Sequence, residues 1–304
     1  MVAMTYDTLI APKGTVGSIL NWVGYSKIDV VTVLDEAQFL LWDLGLRVRE
    51  MRSEFVFGMI AGQCAVALPP RFLDPIGKIY DVTNVTDYDQ VISTNLLAAR
   101  AYEGSISGTF GTNPFTTTSG SSLVKVGQTN QPFNQDSTIT IAAVAAPLNG
   151  LVLNGTFPVV SITDTNDFVI DAGDVNGGAV ASATSTGGGA SVTFTGNNLV
   201  AGSPSRWAVW NESIKFDTAL QIPAAMKLLY FRQPLLLSTA IQTNFLTNRY
   251  PRLLRQACLA AAADFMKDST EYQKAITALS SLIQSTAVQD DFSYRGATIG
   301  TDTP

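Results

Sequence analysis

Histidine is absent from this chain of 304 residues. Because histidine is the commonest general base near neutral pH and a frequent metal ligand, its absence excludes serine–histidine and cysteine–histidine nucleophile systems. No nucleotide-binding loop occurs, and no cysteine spacing typical of zinc. We therefore expect a protein that is not an enzyme and that holds neither a metal ion nor another cofactor.

Cysteine and charge are scarce as well. The two cysteines, Cys64 and Cys258, each lie in an apolar run, which favours two buried thiols over a disulfide. Charged residues make up 14% of the chain, and the formal net charge is −6. An acidic chain of this kind is not expected to bind polyanions non-specifically.

Long apolar runs are also missing. No stretch approaches the roughly 18 consecutive apolar residues of a membrane-spanning helix, and residues 1–13 lack the apolar segment of a signal peptide. We expect a protein without a membrane segment, made in a bacterial cytoplasm. Hydrophobic residues still make up 46% of the chain, which is ample for a buried core.

The composition changes abruptly between residues 101 and 205. This stretch contains 15 of the 24 glycines, and its six acidic residues against the single Lys125 give −5 of the net −6. Alternating apolar and β-branched residues, as in Thr138–Ile141 and Phe168–Ile170, predict short strands. We predict a β-rich insertion domain of sandwich or barrel type at 101–205, with 101–132 as an arm of little regular structure.

The flanking segments, 1–100 and 206–304, carry helical patterns at both ends. Apolar residues at intervals of three and four predict a helix from Val33 to Met51, capped by Asp29. Two more helices are predicted near the C-terminus, with Pro251 in the first turn of one and Asp268 capping the other. The predicted fold class is α+β: N- and C-terminal helices packed together with a small β-sheet, interrupted by the insertion.

Several short motifs follow one another in a fixed order along the flanking segments. They are Leu68–Leu73, Trp207–Trp210, Ile214–Phe216, Leu229–Pro234, Asn244–Leu246, Tyr250–Leu254 and Ala257–Asp268. Their order resembles the head-to-tail adaptor, or connector, family of short-tailed bacteriophages. With the N-terminal helices, the resemblance extends over about two-thirds of the chain.

The resemblance implies a structural virion protein at the head–tail junction. It implies a homo-oligomeric ring of roughly twelve copies that binds the portal protein on one side and the tail nozzle on the other. Tail fibres or spikes are further candidate partners. Viral DNA is expected to pass through the central channel without sequence-specific binding.

Two sets of residues are candidates for contacts with these partners. Phe292, Tyr294, Arg295 and Ile299 lie in a polar tail at about 288–304, where apolar groups suggest docking on the portal, with simple disorder as the alternative. A second set recurs at intervals of three and predicts a basic helical face; its members are Arg249, Arg252 and Arg255. That face either meets an acidic portal surface or passing DNA, or is merely solvated.

Four aspartates in the insertion lie close together in sequence: Asp164, Asp167, Asp171 and Asp174. Several carboxylates together could bind a cation such as calcium, but the spacing fits no known calcium loop. Turn and strand-end positions are the alternative interpretation.

Two other functions remain open at this point. One is a receptor- or carbohydrate-binding virion module in which the β-rich insertion is the active part. The other is a tail-completion or gatekeeper ring, which the sequence does not separate from an adaptor.

Overall fold

The structure, a computed structural model, describes residues 4–24, 28–83, 85–91, 93, 95–96 and 100–298, without the side chains of 103–105 and 288–298. It divides into two compact units. Unit 1 comprises Met1–Ser53, Pro70–Asp74 and Tyr230–Pro304, and unit 2 comprises Glu54–Pro69 and Pro75–Leu229. Residues 101–205 thus share unit 2 with parts of both flanking segments; the domain boundaries drawn from composition stay a prediction.

Unit 1 is helical. Its helices are α1 (Tyr6–Ile10), α2 (Ile19–Val23), α3 (Val30–Asp43), a 3₁₀ turn (Arg49–Met51), α4 (Phe245–Asn248), α5 (Pro251–Phe265) and α6 (Ser269–Thr298). Within the described part of the chain, every helix is too short or too polar to cross a membrane.

The helix starts follow from capping residues. Asp29 accepts a hydrogen bond from the Val31 N–H at 3.1 Å, and Asp268 accepts one from the Glu271 N–H at the same distance. Pro251 is the first residue of α5, so all three predicted starts are confirmed. The predicted extension of α3 to Met51 is wrong, because the chain leaves the helix at Gly45, whose φ of +83° is left-handed.

The core of unit 1 lies between α3, α5 and α6. Leu34 and Leu41 of α3 are completely buried, as are Leu254 of α5 and Leu279 of α6. Burial of one such side chain stabilises a fold by about 1.5–3 kcal/mol. Between these leucines, α5 presents buried small residues that include Ala257 and Cys258, which allow the helices to approach closely.

The strands are, in chain order, β1 (Arg52–Met59), β2 (Ala65–Ala67), β3 (Phe72–Asp81), β4 (Thr86–Gln90), β5 (Tyr102–Thr109), β6 (Phe115–Thr117), β7 (Leu123–Gly127), β8 (Thr138–Ala142), β9 (Gly155–Ile162), β10 (Asp167–Asp171), β11 (Ser185–Gly187), β12 (Thr193–Leu199), β13 (Ala201–Gly202), β14 (Arg206–Trp210), β15 (Ser213–Phe216), β16 (Ala219–Leu220) and β17 (Ala224–Arg232). They form three sheets, with the orders β1-β17-β3-β4-β14-β15-β2, β11-β6-β7-β10-β9-β8-β12-β5 and β13-β16. The divisions between the two units fall within β1, β3 and β17.

The eight-stranded sheet is built entirely from residues of the acidic, glycine-rich stretch, and its pairings are antiparallel. In β8, Ile139 and Ile141 are buried while Thr140 is exposed, as the alternation predicts. The predicted irregular arm at 101–132 is wrong, since β5, β6 and β7 lie there. The composition around these strands is polar, but each contains at least one apolar residue. Fully buried side chains such as Phe115 and Val124 stabilise the strands by packing in the core.

The predicted fold class is also wrong. The protein is mostly β, with sheets of seven and eight strands, and α1 to α6 lie in unit 1 rather than forming a dominant body. The seven-stranded sheet was expected to be small. Its strands come from distant segments of the chain, so that β1 lies beside β17 and β2 lies beside β15. Sequence patterns do not reveal such non-local pairings.

Candidate functional site

The longest helix, α6, has 30 residues, which corresponds to a length of about 45 Å. Among its described side chains, Ala275, Leu279 and Ile283 are buried. The helical backbone then continues from residue 283 to Thr298, fifteen residues beyond the last of these buried side chains. This segment is the candidate docking element of unit 1.

The predicted portal-docking residues fall at the end of that helix. The backbone of Phe292, Tyr294 and Arg295 lies within α6, which enters the predicted tail and reaches Thr298. Ile299 lies outside the described residues. The docking role of these four residues stays a prediction.

The three arginines of the predicted basic face have different surroundings. Arg249 follows α4 and pairs with Glu50. Arg255 lies on α5 with its guanidinium 5.7 Å from the centre of the Trp22 ring, a cation–π distance. Arg252 is exposed on α5. Their contact with a portal or with DNA also stays a prediction.

The four aspartates of the insertion act locally. The side chains of Asp164 and Asp171 accept hydrogen bonds from the N–H groups two residues further on, at 2.7 and 2.8 Å, and so stabilise their own turns. Asp167 pairs with Lys125 at 2.7 Å, and Asp174 is exposed. In the part of the chain that the structure describes, no group of three or more acidic or cysteine side chains could hold a metal ion.

A buried ionic cluster lies inside unit 2. Oδ2 of Asp136 accepts hydrogen bonds from Arg100 at 2.7 Å and from Lys215 at 2.8 Å, and the Arg100 side chain is only 3% exposed. Burial opposes the charged form of Asp136, but the hydrogen bonds from Lys215 and Arg100 outweigh it and lower the pKa of this carboxyl. One carboxylate is thus shared by two cations, and through Lys215 of β15 the cluster links the segment before β8 to the seven-stranded sheet.

Both cysteines are buried and free, as predicted. Burial, with a smaller contribution from nearby Asp136, raises the pKa of Cys64 to about 12. Burial alone raises the pKa of Cys258 to about 12. Since the thiolate is the reactive form, neither residue is a nucleophile at neutral pH.

Unit 1 contains a cleft of about 340 Å³ that no sequence pattern predicts. Arg52, Arg71 and Arg232 line it together with Glu50. The three arginines come from β1, from the turn before β3 and from the end of β17, and no motif links positions so far apart. This cleft is called the arginine cleft below.

Unit 2 contains a cleft of about 570 Å³. Its polar lining includes Asn130, Gln131 and Asp164, and Ile60 and Pro223 contribute apolar surface. Two of the polar groups are already engaged. Gln131 Oε1 accepts a hydrogen bond from the Phe133 N–H at 2.7 Å, and Asp164 holds its own turn.

No protein family matches the sequence, and no curated protein does. Among solved structures, a phage phi92 endosialidase is similar to this chain, with 9% sequence identity and a TM-score of 0.25. The similarity covers 51% of this chain and 22% of that protein. The chain therefore spans less than a quarter of the length of this structural neighbour, and a likeness this weak carries no argument about function.

Proposed function

We propose that this protein is a non-enzymatic phage virion component, and specifically a ring-forming adaptor that joins the portal to the tail nozzle. The observation that carries the proposal is the continuation of α6 beyond the last buried side chain of its described part. A helical segment of about fifteen residues is only marginally stable alone, because helices in proteins are held mostly by packing. A partner that packs against the segment would therefore stabilise it.

The sequence of this segment supports a protein partner. Phe292 and Tyr294 are large aromatic residues in an otherwise polar stretch. Aromatic anchors on a helix are typical of helix-in-groove docking. The portal is the partner that the motif order implies, and identical subunits that close through heterologous contacts leave a channel for DNA.

A receptor- or carbohydrate-binding module is the second candidate. The cleft in unit 2 favours it, because amide and carboxylate groups beside apolar surface are suited to a sugar. Its engaged polar groups weigh against it, since the side-chain oxygen of Gln131 and one carboxylate oxygen of Asp164 already accept backbone hydrogen bonds, which leaves fewer free acceptors for a ligand.

The test is to delete residues 288–304 and to mix the protein with the portal of the same phage. We expect the full-length chain to assemble into a ring on portal addition and the truncated chain to stay unassembled, as measured by native mass spectrometry. The fold should survive, because Leu279 and Ile283 remain in place; thermal melts followed by circular dichroism check this.

A substitution pair sharpens the test. Phe292→Ser is expected to weaken portal binding. The matched control is Phe39→Ser, which alters a side chain 42% exposed on α3 and should leave portal binding unchanged.

Equal portal binding by the full-length and truncated chains would refute the docking role of this helix. A permanent trimer that binds polysaccharide would refute the adaptor and favour the second candidate, whereas assembly onto a preformed portal–adaptor complex only would assign the protein to a gatekeeper ring.

A further inference from the structure

Two guanidinium groups of the arginine cleft carry charge that its lining residues do not neutralise. Glu50 is the acidic residue that lines the cleft, and its carboxylate is already bound by Arg249 and, at 3.3 Å, by the hydroxyl of Tyr250. No ion pair or side-chain hydrogen bond engages Arg71 or Arg232 among the residues that the structure describes. These two side chains therefore make the cleft positive, in a chain of net charge −6.

One of these guanidinium groups has a buried donor without an acceptor. Nε of Arg232 is buried and has no hydrogen-bond partner. A buried donor without an acceptor is destabilising, and an acceptor on a ligand would relieve that cost. The backbone holds the two arginine-bearing segments side by side, since the Arg71 carbonyl accepts a hydrogen bond from the Gln233 N–H at 2.8 Å.

The charge of the cleft selects an oxyanion. A guanidinium forms paired hydrogen bonds with carboxylates and phosphates. The lining of the cleft favours a carboxylate on a peptide over a DNA backbone. Duplex DNA needs a row of cations without intervening acidic groups. This cleft has Glu50 among its lining residues, together with the apolar Leu235, which is 54% exposed.

We propose that the arginine cleft binds a carboxylate-bearing, partly apolar peptide segment of a partner protein. Arg71 and Arg232 bind the carboxylate, and Leu235 packs against an apolar neighbour on the same segment. The proposal uses no residue of α6, so it stands or fails independently of the adaptor function.

The experiment measures the anisotropy of a fluorescent peptide of glutamates flanking one leucine, added to the full-length protein at low salt. A peptide with glutamine in place of glutamate is the ligand control. We expect Arg71→Gln and Arg232→Gln each to weaken binding by about tenfold or more, as loss of a charge-assisted hydrogen bond implies. Arg206→Gln, which removes an exposed arginine of unit 2, should change binding by less than about twofold.

The outcomes separate the explanations. Binding that depends on glutamate and on both cleft arginines supports the proposal. Equal weakening by Arg206→Gln indicates general charge attraction and overturns it, as does tighter binding of a short DNA duplex than of the peptide. If Arg232→Gln does not fold, Arg71→Gln decides alone, because Arg71 is partly exposed and its substitution leaves the core untouched.

Discussion

The ionic cluster of unit 2 offers a sharp test of how the segment before β8 is held to the seven-stranded sheet. Asp136→Asn keeps the shape of the side chain but removes the charge that faces Arg100 and Lys215. Arg100 would keep its hydrogen bonds to the Phe216 carbonyl, at 3.0 and 3.2 Å, and to Cys64 Sγ, at 3.6 Å, but these acceptors are neutral. A guanidinium whose side chain is 3% exposed would then lack a counter-charge.

The expected magnitude follows from the burial of the three partners. Removing one partner of a fully buried ion pair costs about 3–5 kcal/mol. Asp136 and Lys215 are 20% and 21% exposed, so partial solvation lowers the expectation to about 2–3 kcal/mol. The matched control is Asp167→Asn, which breaks the more exposed pair with Lys125 and should cost less than about 1 kcal/mol.

The assay is hydrogen exchange measured by mass spectrometry on peptides from β8 and β15, which reports the free energy of local opening in unit 2.

The stability that Asp136 contributes depends on pH. Because the pKa of Asp136 is lowered in the folded state, its contribution is present above the ordinary value of 3.8 and is lost as the pH falls through the folded-state pKa. The difference between the wild-type protein and Asp136→Asn should therefore shrink in strong acid. A cost at neutral pH no larger than that of Asp167→Asn, or a difference that persists in strong acid, would show that the cluster does not hold this segment to the sheet.

Two further predictions concern packing. A Cβ at Gly196 would overlap the backbone carbonyl of Thr138, so Gly196→Ala should destabilise unit 2 by about 2 kcal/mol or more. Gly202→Ala, which meets open space, should change the urea midpoint little; equal midpoints for the two variants would contradict the close fit of β12 against β8. Cys64 and Cys258 should resist a thiol reagent at pH 8 in the native protein and react only on unfolding, because burial raises the pKa of each to about 12. Rapid labelling of either thiol without denaturant would contradict their burial.

The local parts of the fold were predictable from the sequence. Asp29, Pro251 and Asp268 mark helix starts because each satisfies or avoids an unpaired backbone N–H, which is a short-range effect. Strands such as β8 and β10 follow from alternation over five residues. The end of α3 was missed because the apolar periodicity continues past Gly45, and only the left-handed backbone there shows that the helix has stopped.

Long-range features were not predictable, for a different reason. The seven-stranded sheet joins β1 to β17 across more than half of the chain, and alternation says which face of a strand is buried but not which strand lies beside it. The arginine cleft has the same origin. Arg52, Arg71 and Arg232 become neighbours only once β1, β3 and β17 are in place, and each alone resembles an ordinary surface arginine.

The acidic charge of the insertion invites a functional explanation that its geometry does not require. Asp136 is bound inside the ionic cluster, Asp167 pairs with a neighbouring strand, and Asp164 and Asp171 hold turns. Turn formation and strand ends select aspartate for its short acceptor side chain, so a stretch with many turns becomes acidic without a ligand. Surface charge also discourages pairing between exposed sheet edges, a hazard for an eight-stranded open sheet. A charged partner is therefore better sought at the arginine cleft, where the buried Nε of Arg232 is not already committed to the fold.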